Sequence, residues 1–310
     1  LPWQSFYHRS DRDRHFSLPK AAVAWPNMSF EIIPAYDVPL AEQAKIFSRA
    51  FTGYIGGSFE MDAAGLARFL FHQGADLTHS YFARTTEGLA GFAYINRTGN
   101  ISRIGGMGIV PAARRSGLAR RLLAHLLEEA RTRGDQAMML EVIEQNKAAH
   151  QLYAQEGFRE TGHLLSWRRK ADAPAIESTA LLEEISLIRA TQIPSALEYP
   201  ELPWPISRHA IAKSAAKCAF RSGDSLIVIG DPEVSPVRVH ALSCFHVMDW
   251  TALRETLSTL LQRYPGREFF TPPVFPEQFG QEVFQPLGFV REPMSQFLLR
   301  YDLHGPANCS

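Results

Sequence analysis

The sequence predicts an α/β protein of the α+β kind, in which mixed central sheets are flanked by helices and two like domains follow one another. Three observations carry this prediction. Residues 29–168 alternate strand-like and helix-like spacings in the order β-α-α-β-β-β-α-β-α-β. Residues 184–303 repeat part of that order in a worn form. At 310 residues, with 45% hydrophobic and 21% charged residues, the chain has the length of two compact domains and an ordinary globular composition.

Ser29–Ile33 reads as the first strand. Leu40–Phe51 has helical spacing, with Ala44, Ile46, Phe47 and Ala50 on one side, and GYIGG at 53–57 ends it. A second helix spans Asp62–Gln73 through Leu66, Phe69 and Leu70. Strands at Ser80–Thr85 and Leu89–Asn96 flank a turn at Gly88, and after NRTGN a further strand runs over 101–110. Leu118, Leu122, Leu126 and Ala130, beside Ala119, Leu123 and Leu127, then form one face of a long amphipathic helix that Gly134 closes. AMMLEV at 137–142 is a short apolar run of the kind found in a sheet covered on both faces. Asn146–Glu156 is a short helix with Gly157 as its left-handed stop. Phe158 opens a last strand that ends near Arg168, and 171–183 has linker composition.

In the second half, EQFGQEVFQPLGF at 277–289 overlies KAAHQLYAQEGF at 147–158, with Phe284 four residues before Gly288 as Tyr153 is before Gly157. Strand-like Ser225–Gly230 and Val237–His246 precede a helix at Ala252–Arg263, which carries Leu253, Leu257, Leu260 and Leu261. Four elements in one order point to duplication. The expected organisation is an extension over 1–27, a catalytic domain over 28–170, a linker over 171–183 and a degenerate copy over 184–304. Met28, just before SFEIIPAY, is expected to be the natural start.

Thirty-two basic and thirty-two acidic residues cancel, which speaks against a nucleic-acid or membrane partner, since both need a basic excess. Arg168, Arg169 and Lys170 read as a solvated strand end. Three cysteines without metal-like spacing fit a reducing, cytoplasmic setting. No apolar run spans a bilayer, and the charged N-terminus has no apolar h-region. The eleven histidines form no HExxH or Cys/His cluster, so no metal site is expected, and no GxSxG nucleophile occurs.

The sharpest chemical signal is Arg114-Arg115-Ser116-Gly117-Leu118-Ala119, between a strand and the long helix. A helix N-terminus leaves its first N–H groups without partners and carries a positive partial charge, so it suits a phosphate. Gly117 and Ala119 admit close approach, and the arginines can add charge-assisted hydrogen bonds.

MGIVPAARRSGLARRLL followed by LEVIEQNKAAHQLYAQEGF resembles the GNAT acetyltransferase superfamily over residues 29–168, and faintly over 184–303. Within it, Leu140-Glu141-Val142, Asn146, Ala149, Leu152-Tyr153 and Gly157-Phe158 are most similar to ribosomal-protein alanine N-acetyltransferases. The resemblance implies tandem domains, each with a splayed parallel strand pair, and an acetyl-CoA cleft in the first. It assigns the backbone of Met107, Gly108 and Ile109 to the pantetheine arm. The amides of Arg115, Ser116, Gly117, Leu118, Ala119 and Arg120, with Arg114 beside them, fall to the pyrophosphate. Asn146 is either a further cofactor contact or a plain helix N-cap.

Tyr153 is the candidate general acid, because a phenol can protonate the thiolate that leaves a thioester; otherwise it is a core ring. Glu141 is the candidate base for an amine that is mostly protonated at neutral pH. Its other readings are a carboxylate tied to a neighbour, or an ordered water serving as base in its place. Phe51, Tyr54 and Phe59 are either acceptor contacts or core. In the second half MDWTA puts Asp249 where a phosphate would approach, and Phe284 lacks a hydroxyl, so that half is expected to be catalytically silent. The expected reaction moves acetyl from acetyl-CoA to a primary amine of a small metabolite or amino acid, with CoA as product. A peptide or protein N-terminus is the second acceptor, and a non-catalytic acyl-CoA sensor is the reading from another class. The expected assembly is a monomer acting as its own pseudo-dimer, or a homodimer.

Overall fold

The computed structural model describes residues 29–57 and 59–304; the expected start at Met28 and the extension before it lie outside the described residues. Two compact units separate. One holds the described residues up to Phe71, Ala75–Met138 and those from Asp302 onward, and the other holds His72–Gly74 and Met139–Tyr301.

In the first unit, strands β1 (Phe30–Pro34), β2 (Asp76–Thr85), β3 (Gly88–Thr98) and β4 (Ile101–Ile109) pair antiparallel in chain order. Helices α1 (Leu40–Ala50) and α2 (Ala63–Gln73) follow β1, and α3 (Leu118–Thr132) follows β4. The apolar stripe of α3 buries Leu118, Leu122, Leu123, Leu126, Leu127 and Ala130. Gly134, at φ 80°, stops it in the left-handed form, with the amides of Gly134 and Asp135 returning to Arg131 and Ala130 carbonyls. Phe47 stacks on Phe92 at 5.3 Å at the centre of the core. The one polar side chain that α1 buries, Gln43, is fully used: its amide nitrogen donates to the Ala35 and Val38 carbonyls and its oxygen accepts from the Tyr94 hydroxyl.

Asp135 ties three elements together. Its buried carboxylate accepts from Arg97 of β3, Ser102 of β4 and Arg133 at the end of α3. Burial alone would raise its pKa, but the hydrogen bonds from Ser102 and Arg97 and the charges of Arg133 and Arg97 outweigh it and hold the carboxyl below its usual range.

The second unit continues β5 (Ala137–Ile143) and adds α4 (Lys147–Gln155), β6 (Arg159–Arg169), β7 (Glu183–Ile185), α5 (Leu187–Gln192), α6 (Arg208–Ile211), β8 (Cys218–Ser222), β9 (Ser225–Ile229), β10 (Val237–Cys244), α7 (Trp250–Arg263), β11 (Phe269–Pro276) and β12 (Val290–Asp302). Its strand order is β5-β12-β6-β11-β10-β9-β8-β7. The sheet is mixed, because β10 and β11 run parallel while β6 pairs antiparallel with both β11 and β12. The linker expected at 171–183 holds no regular element until β7, yet it is not where compactness breaks, since β6 lies between two strands of the second half.

The β10–β11 pairing is confined to Val237↔Phe269 and Arg238↔Phe270. Beyond it β10 stays with β9 and β11 with β6, so the parallel pair splays. β10 also carries a bulge at His240, between Val239↔Ile229 and Ala241↔Val228. β4 has the matching feature at Gly105, between Ile95↔Ile104 and Tyr94↔Gly106.

Two expectations change here. Arg168 and Arg169 are not a solvated strand end. Arg168 pairs with Glu268 and Glu292 and lies over the Phe270 ring at 4.8 Å, while Arg169 is buried and donates to the Leu287 and Pro174 carbonyls. Segment 277–289 is not a copy of α4 either. It is a single turn, Glu277–Phe279, then a wide π-helical turn, Gly280–Phe284, then a tight one, Gln285–Leu287. Pro286 has no N–H to return to Glu282, and Arg254 takes the Glu282 carbonyl instead at 2.9 Å. The exits nevertheless match. Gly157 and Gly288 both lie at positive φ, 93° and 76°, and the next amides, Phe158 and Phe289, reach back to the carbonyls of Tyr153 and Phe284 at 3.0 and 3.1 Å.

Candidate functional site

Within the first unit, the β4–α3 connection forms the candidate anion cradle. The loop passes through a short turn at Pro111–Ala113; Arg115 then takes φ 63° and Gly117 φ 82°. Arg115 is the one non-glycine residue at positive φ among those described, a conformation that costs an L-residue roughly 1–2 kcal/mol. Gly117 is the N-cap of α3 and has no side chain to cap it. The Ser116 hydroxyl donates back to the Ala113 carbonyl at 2.7 Å and receives the Leu118 amide only at 3.4 Å. The amides of Arg115, Ser116, Gly117 and Ala119 therefore have no acceptor among the described residues. Nothing lies within 4 Å of where a Gly117 Cβ would stand, so the outer face of the turn is open. Consecutive unsatisfied amides at a helix N-terminus are a binding site for phosphate oxygens.

β4 leads into this loop. The Val110 amide donates to the Ala90 carbonyl, and Gly91 lies opposite Ile109 and Ala93 opposite Met107. By antiparallel alternation the peptide groups of Met107 and Ile109 point away from β3. Gly108 is required by the core: a Cβ there would stand 2.9 Å from both the Ala50 methyl and the Phe92 ring. The Arg114 side chain turns to the protein, donating from Nη2 to the Ala50 carbonyl at 2.9 Å and from Nε to the Ile109 carbonyl at 3.2 Å.

The aromatic residues beyond α1 form one cluster. Phe51 lies 4.7 Å from Phe47, 4.9 Å from Tyr54 and 5.3 Å from Phe59. Phe59 is buried core, whereas Phe51 and Tyr54 are only partly covered.

In the second unit, Glu141 is a partly exposed residue of β5, flanked by buried Leu140 and Val142. Asn146 caps α4, its side-chain oxygen accepting from the Ala149 amide at 3.3 Å, so the N-cap reading describes what this side chain does here. Tyr153 is the one buried residue of α4, 8% exposed, with its ring 5.6 Å from Phe158. The candidate residues thus divide: cradle and aromatic cluster in the first unit, Glu141, Asn146 and Tyr153 in the second.

Sequence reasoning passed over one group. Glu144, just past β5, accepts from the Ser295 hydroxyl and faces His163 Nε2 at 3.1 Å, and Glu277 stands 3.9 Å from His163 Nδ1. The Ser295 hydrogen bond first, then His163 and Lys147, hold the Glu144 carboxyl below its usual range. His163 and Ser295 come from two separate strands, Glu144 from a turn and Glu277 from the single helical turn after β11, so no local spacing announced them. The Gly105 bulge, by contrast, had a signal in the Gly105-Gly106 pair inside a strand pattern.

The start of α7 in the second half is occupied by the protein's own side chains. Asp249 caps α7, accepting from the Ala252 amide at 3.0 Å, so its carboxylate occupies the helix start. Trp250 packs edge-on to Phe279 at 5.1 Å, and Phe279 to Phe275 of β11 at 5.4 Å. Among the described residues no group of three or more His, Cys, Asp or Glu is placed to hold a metal ion, and no helix is long and apolar enough to cross a membrane.

Residues 43–158 match the model of the acetyltransferase (GNAT) family. A GCN5-related N-acetyltransferase from Sphaerobacter thermophilus superposes over 89% of this chain and 96% of its own, at 13% identity and a TM-score of 0.61. A tandem GNAT protein from the clavulanic acid biosynthesis pathway superposes over 90% of this chain and all 100% of its own, at 15% identity and a TM-score of 0.55. The ribosomal-protein-S18-alanine N-acetyltransferase of Escherichia coli covers 47% of this chain and 85% of its own at 24% identity, but with a TM-score of 0.37 that superposition is too loose to bear on the substrate. No curated protein matches the sequence. At these identities the structural likeness is one of fold, and the segment that matches the acetyltransferase (GNAT) family model, residues 43–158, is the one that holds β4, the cradle and α4.

Proposed function

We propose that this protein transfers an acetyl group from acetyl-CoA to the primary amine of a small metabolite or amino acid. The observation that carries the reading is the cradle, in which four amides of residues 115–119 lack an acceptor and the ground above Gly117 is open. These residues fit a diphosphate, and the outward peptide group of Met107 and the outward amide of Ile109 suit an amide-bearing arm. Acetyl-CoA supplies the activated acetyl group. Glu141, directly or through one water, takes the proton of the acceptor ammonium, and the Tyr153 hydroxyl gives its proton to the departing sulfur. Half-exposed Phe51 and Tyr54 form the acceptor side.

We also propose that residues 184–304 are a second, silent copy of the same fold. The splayed β10–β11 pair, the bulges at Gly105 and His240 and the matching exits at Gly157 and Gly288 support the duplication. The capping carboxylate of Asp249 and the Trp250–Phe279 contact support the silence. A chain with an internal second copy fits a monomer that is its own pseudo-dimer.

The test is release of free CoA thiol from acetyl-CoA across amines, amino acids and short peptides. Amine-dependent release with small acceptors is expected. Release with peptides alone would move the acceptor to a protein N-terminus, and acetyl-CoA binding without amine-dependent release would make the protein a sensor.

A further inference from the structure

We propose that the Arg114 guanidinium is a positioning group rather than a phosphate ligand: it clamps the end of α1 to the end of β4 and so sets the acceptor side of the site against the cofactor side. The proposal rests on the reading of the cradle as the acetyl-CoA site and adds a division of labour within it.

Arg114 opens a basic stretch that also holds Arg115, Arg120 and Arg121, where charge alone would assign it to an anion. Its donors go elsewhere. Nη2 meets the carbonyl of Ala50, the last residue of α1, and Nε meets the carbonyl of Ile109, the last residue of β4. The Ala50 carbonyl is one of those a helix C-terminus leaves without an intrahelical donor, and a cation there also complements the helix dipole. The Ile109 carbonyl points away from β3, where the ladder offers it no donor. A planar guanidinium that holds two carbonyls is fixed in orientation as well as position.

What it joins gives the clamp its consequence. α1 and β4 already meet where Gly108 has no side chain, since a Cβ there would stand 2.9 Å from the Ala50 methyl. Phe51 and Tyr54 follow Ala50 directly, and the cradle follows Arg114 directly. One side chain therefore ties the residue just before the aromatic segment to the strand end that feeds the cradle, while the amides of Arg115, Ser116, Gly117 and Ala119 remain to hold the anion.

Three measurements on the full chain test this. Acetyl-CoA affinity is titrated at low and high salt, acceptor KM and kcat are measured with the best amine from the thiol-release screen, and amide hydrogen exchange over residues 50–57 is followed in the unliganded protein. For Arg114→Ala the affinity and its salt dependence stay within about twofold of the wild type, because no phosphate contact is lost. The acceptor KM rises about tenfold or more, the scale of losing hydrogen bonds from a charged donor, and exchange over 50–57 quickens. Arg114→Gln, which keeps a donor and drops the charge, recovers most of the acceptor KM. Weaker acetyl-CoA binding with a flatter salt dependence and an unchanged acceptor KM in Arg114→Ala would make Arg114 a phosphate ligand and overturn the proposal. Unchanged exchange over 50–57 overturns it without any turnover measurement. Failure of the wild type to bind acetyl-CoA would instead strike the reading of the cradle, and the exchange result would still decide the clamp.

Discussion

In the proposed mechanism Tyr153 combines packing and chemistry in one side chain. Its ring is buried on α4 against Phe158, and the corresponding residue of the second half, Phe284, is a buried ring against Phe289 at 5.3 Å. Under the proposed duplication the shared requirement at this position is an aromatic ring, and the hydroxyl is what the first half adds. Tyr153→Phe keeps the ring and should leave both the denaturation midpoint and acetyl-CoA affinity close to wild type. Turnover should fall by about 10²-fold or more, the usual contribution of a positioned general acid. Steady-state kinetics beside an acetyl-CoA titration would check this, and equal turnover in the variant would reduce Tyr153 to a core residue. Gly117 is a contrasting case at the same scale: the residue type was readable from sequence, the reason only from structure. Its need is a left-handed backbone at φ 82° rather than crowding, because nothing stands near its missing Cβ. Arg115 holds the same kind of backbone without being glycine, and no sequence pattern marks such a residue.

At the scale of elements, α3 and α4 follow their sequence periodicity because each is a single amphipathic face with a glycine exit. The expected start of α4 at Asn146 became its cap, and β2 begins at Asp76, four residues before the expected Ser80. The segment after β11 resisted sequence reading for a reason of tertiary packing. Gly280 lies so close to Trp167 that a Cβ would stand 1.9 Å from the indole, and Trp167 belongs to a strand more than a hundred residues earlier. That contact, with Pro286, spreads the backbone into the π-helical turn Gly280–Phe284. Gly280→Ala should then destabilise the protein by about 1–3 kcal/mol, as overpacking of a filled core does, even though alanine is the better helix former and would stabilise an exposed site. Chemical denaturation followed by Trp fluorescence reads the loss. A midpoint equal to or above the wild type would show that the indole has room to move. The same long-range logic explains Arg168 and Arg169: three consecutive basic residues look solvated in sequence, and only the strands beside β6 show that two of them are held by carboxylates, a ring and backbone carbonyls.

Across the whole molecule, the proposed duplication and the observed compactness divide the chain differently. The sequence repeat places a boundary at 171–183, whereas the order β5-β12-β6-β11 gives each half's last strand a neighbour from the other half. β6, eleven residues long, pairs with β11 along one edge and β12 along the other, and its Leu164, Leu165 and Trp167 are buried there. Composition and periodicity report which residues form strands; they say nothing about an exchange of partners, because both arrangements bury the same alternating faces. The exchange has a direct consequence. A fragment ending at residue 183 would carry β6 with both edges bare and a row of apolar side chains uncovered, the condition under which strands associate indiscriminately. The fragment 184–304 would lack the strand that separates β11 from β12. Each fragment produced alone should aggregate or lack a cooperative unfolding transition. Co-expression should instead give a soluble pair that binds acetyl-CoA, and so should cleaving the intact protein at a protease site inserted within 171–182, a stretch without regular structure. The linker's covalent continuity would then matter far less than the strands on either side of it. A soluble 29–183 fragment that unfolds cooperatively and binds acetyl-CoA by itself would show that β6 finds a place beside β5 when β12 is absent, and that the exchange is a preference of the full chain rather than a condition of folding.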